Sequence, residues 1–350
     1  MNIAILLLNW NGWKDTIECL ESVFRLNHTN FCVIVCDNAS VDGSLEKIKL
    51  WADGHLAAPD FGVALPPTSK APSKPIPWVE YTRAQAEAGG LTDDTSPLVL
   101  IQTGANLGFA GGNNVGLRYA SSRKNFDYVW ILNNDTIVEP DSLTHLVTRM
   151  REKPKAGICG STLIFYHQPH VVQALGGAEY NEQWGYVTPI GMFQPAEQAC
   201  SADEIEHRMA YVVGASMLVS MNFIQDIGLM SEDYFLYFEE IDWAFRAKGK
   251  YTLAFSSESK VYHKEGSSIG SSSTANQSML ATKYLYRNRI IFIKKFFKRT
   301  RLLSCLLRIS WEMLVMLKRQ QFNAVNTAMR SVVSALFSSA PTETSARPPG

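Results

Sequence analysis

Four short apolar runs restrict this chain to very few architectures. Ile3–Leu8, Phe31–Cys36, Pro97–Thr103 and Tyr128–Leu132 do not alternate in polarity, which is the pattern of strands buried on both faces. Helical periodicity lies between them. Asp15–Leu26 puts Ile17, Leu20, Val23 and Phe24 on one face, with Asp15 and Glu18 as a capping box, and Ser44–Trp51 predicts a second helix. Buried strands alternating with helices make a parallel α/β sheet. Further strands are predicted over Ala156–Phe165, Met209–Ser220, Tyr251–Phe255 and Ser259–His263, and a helix over Tyr237–Lys248.

Ligands of open α/β sheets bind beyond the carboxyl ends of the strands, so the polar residues there carry the argument. Asp37 ends the second run, where a carboxylate can accept hydrogen bonds from a base or ribose. The same segment, Asp37–Gly43, is also rich in turn-formers, and Ser40 or Asp42 can cap the next helix. The stretch GANLGFAGGNNVG (104–116) opens a helix. Glycines there let a backbone approach a phosphate, and helix N–H groups favour an anion, but the spacing is not G-x-G-x-x-G and a flexible turn explains it equally well. Asn133 and Asp135 lie two apart, so in extended chain they share a face and can reach one cation. Asp is a hard oxygen ligand suited to Mg²⁺ or Mn²⁺, and the bland alternative is a polar turn before Pro140.

FLYFEEIDWAFRAKGK (235–250) carries three acids on the predicted helix. Glu239, Asp242 and Arg246 share one face and read as a salt-bridge set. Glu240 points about 100° away without a local partner and is the better general base. His263 ends a strand and by itself reads as structural. His167 and His170 have a tempting spacing, which Pro169 spoils.

Formal net charge is zero, so no nucleic acid or other polyanion is expected as partner. From Lys283 to Arg301 there are eight basic residues and no acid, interleaved with Tyr284, Tyr286, Phe292, Phe296 and Phe297. A basic amphipathic segment reads as a peripheral membrane contact, or else as a helix packing its aromatics inward. Six cysteines without a C-x-x-C spacing suit a reducing, cytoplasmic chain. The N-terminal apolar run is too short for a signal peptide, and 302–317 is interrupted by Arg308 and Glu312. Residues 57–97, with seven prolines, read as a long excursion from the sheet, ending in a short helix at Arg83–Ala88.

Taken in order, NWNG, VCDNASVDGS, NLGFAGGNNVG, ILNNDT, VGASMLV, FLYFEEIDWAFR, VYHKEGSS and YLYRNR resemble the family 2 glycosyltransferases, inverting enzymes of the GT-A fold, and most of all their rhamnosyltransferase-like branch. The resemblance runs from Ile3 to about Asn288. It implies a Rossmann-like nucleotide-binding mixed sheet flanked by helices, a nucleotide-sugar donor, a divalent cation (Mg²⁺ or Mn²⁺) and a glycan or lipid-linked glycan acceptor. By resemblance, Asn9, Asp37 and Asn38 would line the nucleoside pocket, and Asn106, Gly108 and Asn114 would sit near the ribose, diphosphate or donor sugar. Asn133, Asn134 and Asp135 occupy the place of the family's D-x-D motif, with Asp135 the charged ligand and His263 approaching the same metal. Glu240 takes the place of the catalytic base, with Asp242 just behind it.

The implied organisation is a catalytic domain over 1–273, a basic helical segment over 274–340 and a disordered tail over 341–350. Two rival classes remain at this level. A nucleotidyltransferase would show a basic Gly-rich loop after the first strand, which NWNGWKD does not match. A non-catalytic saccharide-binding module would need neither the metal position nor the acidic helix.

Overall fold

The apolar runs are adjacent strands of one sheet. The computed structural model describes residues 1–63, 70–91, 93, 95–264 and 278–338. Its strands are β1 (Ile3–Asn9), β2 (Phe31–Asp37), β3 (Trp78–Thr82), β4 (Leu98–Gln102), β5 (Tyr128–Asn133), β6 (Thr136–Val138), β7 (Ala156–Phe165), β8 (Val172–Leu175), β9 (Gly177–Asn181), β10 (Tyr186–Pro189), β11 (Tyr211–Val212), β12 (Ser216–Ser220) and β13 (Thr252–His263). Its helices are α1 (Trp13–Val23), α2 (Ser44–Ala52), α3 (Arg83–Glu87), α4 (Gly108–Arg123), α5 (Ser142–Glu152), α6 (Ala202–Arg208), α7 (Met221–Ile227), α8 (Glu239–Ala247), α9 (Met279–Phe296), α10 (Arg299–Lys318) and α11 (Phe322–Phe337).

The main sheet runs β3-β4-β2-β1-β5-β12-β7-β13-β6, with β8 on β7. The first five strands are parallel, and β12 enters antiparallel between β5 and β7. The sheet is therefore mixed rather than wholly parallel. Its parallel half directs the ends of β1, β2, β4 and β5 to one edge, where the polar residues begin.

Glycines in α4 set how closely that helix lies on the sheet. A Cβ on Gly116 would come within 2.2 Å of Leu6 Cδ1, and one on Gly112 within 2.4 Å of Leu8 Cδ1. The small face of α4 is thus a packing surface against β1. α9, α10 and α11 form a cluster with the α8 region, in which Tyr286, Ile290 and Phe292 meet Tyr234, Phe238 and Ile241.

Several sequence expectations need correction. Gly12, not Asp15, precedes α1, and no side chain caps it; Asp15 and Glu18 instead bind Lys264, far along the chain. The single run Met209–Ser220 breaks at Val213–Ala215 into β11 and β12, whereas the two short strands near 251–263 are one, with a register shift against β7 between Ser256 and Lys260. The Pro-rich excursion contributes an edge strand, β3. The aromatics of 283–301 are largely turned inward, so the packing alternative holds for α9. Glu265–Ser268, the boundary at 273 and the tail 341–350 lie outside the described residues.

Candidate active site

At the carboxyl edge of the parallel strands lies a cavity of about 600 Å³, lined among others by Trp10, Asn38, Asn106, Gly108, Asn133, Asn134, Asp135, Gln173, Gly214, Glu239, Glu240, His263 and Tyr284. Segments 130 residues apart meet there because β5 and β13 both end at this edge. The link between them is β6, which turns back from Asn133 and pairs with the last residues of β13: His263 stands opposite Thr136.

His263 Nε2 lies 3.2 Å from Asp135 Oδ1 and 3.3 Å from Asn133 Nδ2. Its Nδ1 lies 2.9 Å from Gln173 Oε1. An amide oxygen accepts, so Gln173 takes the Nδ1–H and fixes the ring with Nε2 facing the Asp135 carboxylate. A carboxylate and an imidazole nitrogen at that separation can share either a proton or a cation. Metal-binding histidines fix their free nitrogen by a hydrogen bond of this kind, and a carboxylate with an imidazole suits a divalent ion. The residues therefore fit a cation of which the protein supplies few ligands. No group of three His, Cys, Asp or Glu able to hold a metal occurs among the described residues, and His167 and His170 lie in an exposed turn.

The acidic end of the cavity is built by a strained turn. Tyr237 and Phe238 both have left-handed backbones, φ 67° and 77°, unusual for bulky residues. Asn288 of α9, fully buried, holds this turn: its Nδ2 donates to the carbonyls of Leu236 at 2.8 Å and Tyr237 at 3.0 Å. α8 starts immediately afterwards, so Glu239 and Glu240 occupy its first turn and face the cavity. Burial raises the Glu240 pKa above the ordinary glutamate value, opposed in part by the Gly214 N–H. Glu239 is raised further, by burial first and then by the Glu240 charge, and its Oε2 has no hydrogen-bond partner among the described residues. Gly214 packs directly on Glu240, and the next carbonyl, Ala215 O, accepts from Asn133 N at 3.0 Å. One short crossing thus ties the acids to the end of β5.

The other expected site residues divide into those at the cavity and those beneath it. Asn38, Asn106, Gly108, Asn133 and Asn134 line it. Asn9 and Asp37 do not: Asn9 Nδ2 donates to Asp37 Oδ1 at 2.6 Å, and Asp37 Oδ2 accepts from Ser40 N at 2.9 Å. They brace the floor, and Asp37 takes the turn role. Asn114 joins α4 to Met230 and Glu232. Asp242 is buried with Arg246 at 2.8 Å, Lys295 at 2.7 Å and the Tyr234 hydroxyl at 3.1 Å, away from the cavity. The phosphate-cradle reading of the α4 N-terminus is also displaced. The N–H groups of Leu107, Gly108 and Phe109 are taken by Asn38, Asn106 and Phe235 O, and Gly108 is glycine because a Cβ would stand 2.2 Å from Phe235 O.

Residues 81–182 match the family model "Glycosyl transferase family 2". Two solved structures share the architecture: the Pyrobaculum calidifontis mannosyltransferase PcManGT in complex with GDP-Man and Mn²⁺ (TM-score 0.53, 11% identity, 96% of this chain and 87% of that one), and residues 1–349 of S. aureus TarS in complex with UDP-GlcNAc (TM-score 0.51, 14% identity, 95% and 82%). The fold is GT-A. A curated relative, the low-salt glycan biosynthesis hexosyltransferase Agl10 of Haloferax volcanii, is 29% identical over 152 residues, which are 42% of this chain and 45% of that protein. The chain thus spans less than half the length of the curated relative it matches. On the GT-A sheet, the matched family segment contains β4, α4, β5 and β6, hence Asn106, Gly108 and Asn133–Asp135.

Sequence reasoning missed Gln173, Glu239 and Asn288. Gln173 sits in a strand with no local signal, and its role exists only through His263. Asn288 was visible in YLYRNR, but nothing in the sequence reveals that it braces the 236–238 turn.

Proposed function

We propose that this chain is an inverting glycosyltransferase that moves a hexosyl or deoxyhexosyl residue from a nucleoside-diphosphate sugar to a hydroxyl of a glycan or lipid-linked glycan. The observation that carries the reading is one cavity in which a carboxylate–imidazole pair, Asp135 and His263, shares walls with a half-buried glutamate, Glu240, of raised pKa. The family match, the hexosyl-transferring relative and the nucleotide-sugar complexes of the neighbouring structures support it. A nucleotidyltransferase would also need a metal carboxylate, but the acids at the opposite wall have no task in that reaction.

Asp135 and His263 would hold a divalent cation, which supplies charge to the leaving diphosphate. Gln173 fixes the imidazole ring through Nδ1, and the Asn133 amide lies beside its Nε2. Glu240 accepts the proton of the acceptor hydroxyl as that oxygen attacks the anomeric carbon opposite the diphosphate, so the configuration inverts in one displacement. Its raised pKa brings the base nearer neutrality, where proton abstraction is most effective.

The test is nucleoside-diphosphate release and transfer across UDP-, dTDP- and GDP-sugars with Mn²⁺, comparing wild type, Asp135→Ala and Glu240→Gln. One donor is expected to support turnover and to raise the melting temperature. Asp135→Ala loses metal-dependent turnover. Glu240→Gln loses transfer by about 10²-fold or more and keeps donor binding. Absence of any thermal shift with every nucleotide sugar overturns the proposal, and nucleotide-sugar synthesis from a nucleoside triphosphate and a sugar phosphate would assign the rival reaction.

A further inference from the structure

Net positive charge in this chain is gathered in its last three helices. Residues 278–338 hold twelve Lys and Arg and one acid, Glu312, and that acid is taken up by Arg289 and Arg308, each at 2.9 Å. Lys295 pairs with Asp242, and Lys294 donates to the last carbonyls of α11. Lys298, Arg299 and Arg301 at the start of α10, and Lys318 and Arg319 at its end, make no ion pair with any described residue.

Between these basic ends, α10 is apolar on two opposite faces. Cys305 and Ile309 are buried against α9 and α11. On the other face Leu303 is 63% exposed, Leu307 60%, Trp311 53% and Leu314 58%. These positions fall within an arc of about 80° over roughly 16 Å of helix. α11 carries a second exposed row, Phe322, Met329, Val333 and Phe337. An apolar helix face is normally buried, yet among the described residues nothing covers this one.

Charge decides what covers the other face. A second copy would bring two strongly cationic helical segments into apposition. An anionic bilayer surface takes both features: the headgroup–acyl boundary receives Leu and Trp, and the phosphates receive the cations at the two ends. That combination of a Trp/Leu face with Lys and Arg around it is the composition of helices lying in a membrane interface. We propose that α10 docks this protein on an anionic lipid bilayer, with Leu303, Leu307, Trp311 and Leu314 in the headgroup–acyl boundary.

No described helix is long and apolar enough to cross a membrane, so the contact is a surface one. It differs from the one the sequence suggests, because most apolar side chains of 283–301 are buried or half-buried and that segment supplies mainly cations. The first turn of α9, with Leu280, Ala281 and Tyr284, lines the active-site cavity, and α10 packs on α9. Docking would therefore hold the cavity close to the lipid surface. The proposal does not rest on the transferase reading and can fail without it.

Flotation of the full chain tests it, using vesicles of equal parts phosphatidylcholine and phosphatidylglycerol beside vesicles of phosphatidylcholine alone. The chain is expected to float with the anionic vesicles only, and less at high salt. Leu307→Ser/Trp311→Ser, both at exposed positions, should lower the bound fraction about tenfold with an unchanged melting temperature. Lys318→Glu/Arg319→Glu should lower it as well, and carries the test if the apolar variant does not fold. Absence of flotation, equal binding to the neutral vesicles, or unchanged binding of both variants overturns the proposal. A dimer that Leu307→Ser/Trp311→Ser converts to monomer would assign the face to a second copy instead.

Discussion

Glu239 and Glu240 are neighbours in sequence and both face the cavity. Both pKa values are raised by burial, and Glu239 the more so because Glu240 stands beside it. Burial and their mutual repulsion therefore favour a single negative charge on the pair over two. Helical spacing alone assigned Glu239 to a salt-bridge face with Asp242 and Arg246. That failed because Arg246 is fully engaged by Asp242 and by the carbonyls of Ile227 and Leu229, while Glu239 opens its helix at a left-handed turn and faces the cavity. Helical spacing favoured Glu240 over Asp242 as the base, but it could not show that Asp242 is also held by Lys295, some fifty residues downstream. The protonation of Glu239 has a thermodynamic signature. Above the ordinary glutamate value of 4.5 the unfolded chain releases a proton that the folded chain retains, so stability is present in full below that pH and falls as pH rises toward the folded pKa. Glu239→Gln removes this dependence. The melting temperature of Glu239→Gln relative to wild type should rise with pH from about 4.5 upward; a constant difference across that range would mean that Glu239 is ionised in the fold.

At the scale of elements, the sheet was legible and the supports of the site were not. Continuous apolar runs reported β1, β2, β4 and β5 because those strands are buried on both faces and need no distant partner to be recognised. β3 was hidden by the prolines around it, and β9 and β10 form a small separate sheet with half-exposed residues. The α9 helix was expected on charge, but its service to the site is carried by one amide. Asn288 satisfies the carbonyls of a turn in which two bulky residues hold left-handed backbones, each costing on the order of 1–3 kcal/mol. Asn288→Ala removes those bonds and leaves the carbonyls buried, a loss of about 1–3 kcal/mol. The first turn of α8 then loses its fixed direction while Asp135 and His263 are untouched. We expect kcat to fall at least tenfold with little change in the donor KM, together with a lower melting temperature. Equal loss in kcat and donor affinity would place Asn288 in general folding rather than in positioning the base.

Across the whole molecule, one polar network ties together segments that sequence reading kept apart. Lys264 follows His263 directly; its amide donates to Asp135 O at 3.0 Å, and its ammonium binds Asp15 at 2.6 Å and the buried Glu18. Tyr166 donates to Glu18 Oε1 at 2.6 Å and accepts from the amide of Gly62, also at 2.6 Å. α1, the start of the Pro-rich excursion, the turn after β7 and the end of β13 are thereby joined beside Asp135 and His263. Lys264 carries its positive charge strongly here, since burial is outweighed by its bonds to Asp15 and Glu18. Tyr166→Phe deletes one hydroxyl with little change in shape. It leaves a buried carboxylate oxygen and the Gly62 amide without their partner, at a cost of about 1–3 kcal/mol. Because Gly62 belongs to the excursion, the effect should be local. Amide hydrogen exchange is expected to speed up at Gly62 and its neighbours, while β1 and β5 at the centre of the sheet stay protected. Exchange that accelerates uniformly through the sheet would show that the network stabilises the whole fold instead of fastening the excursion to it.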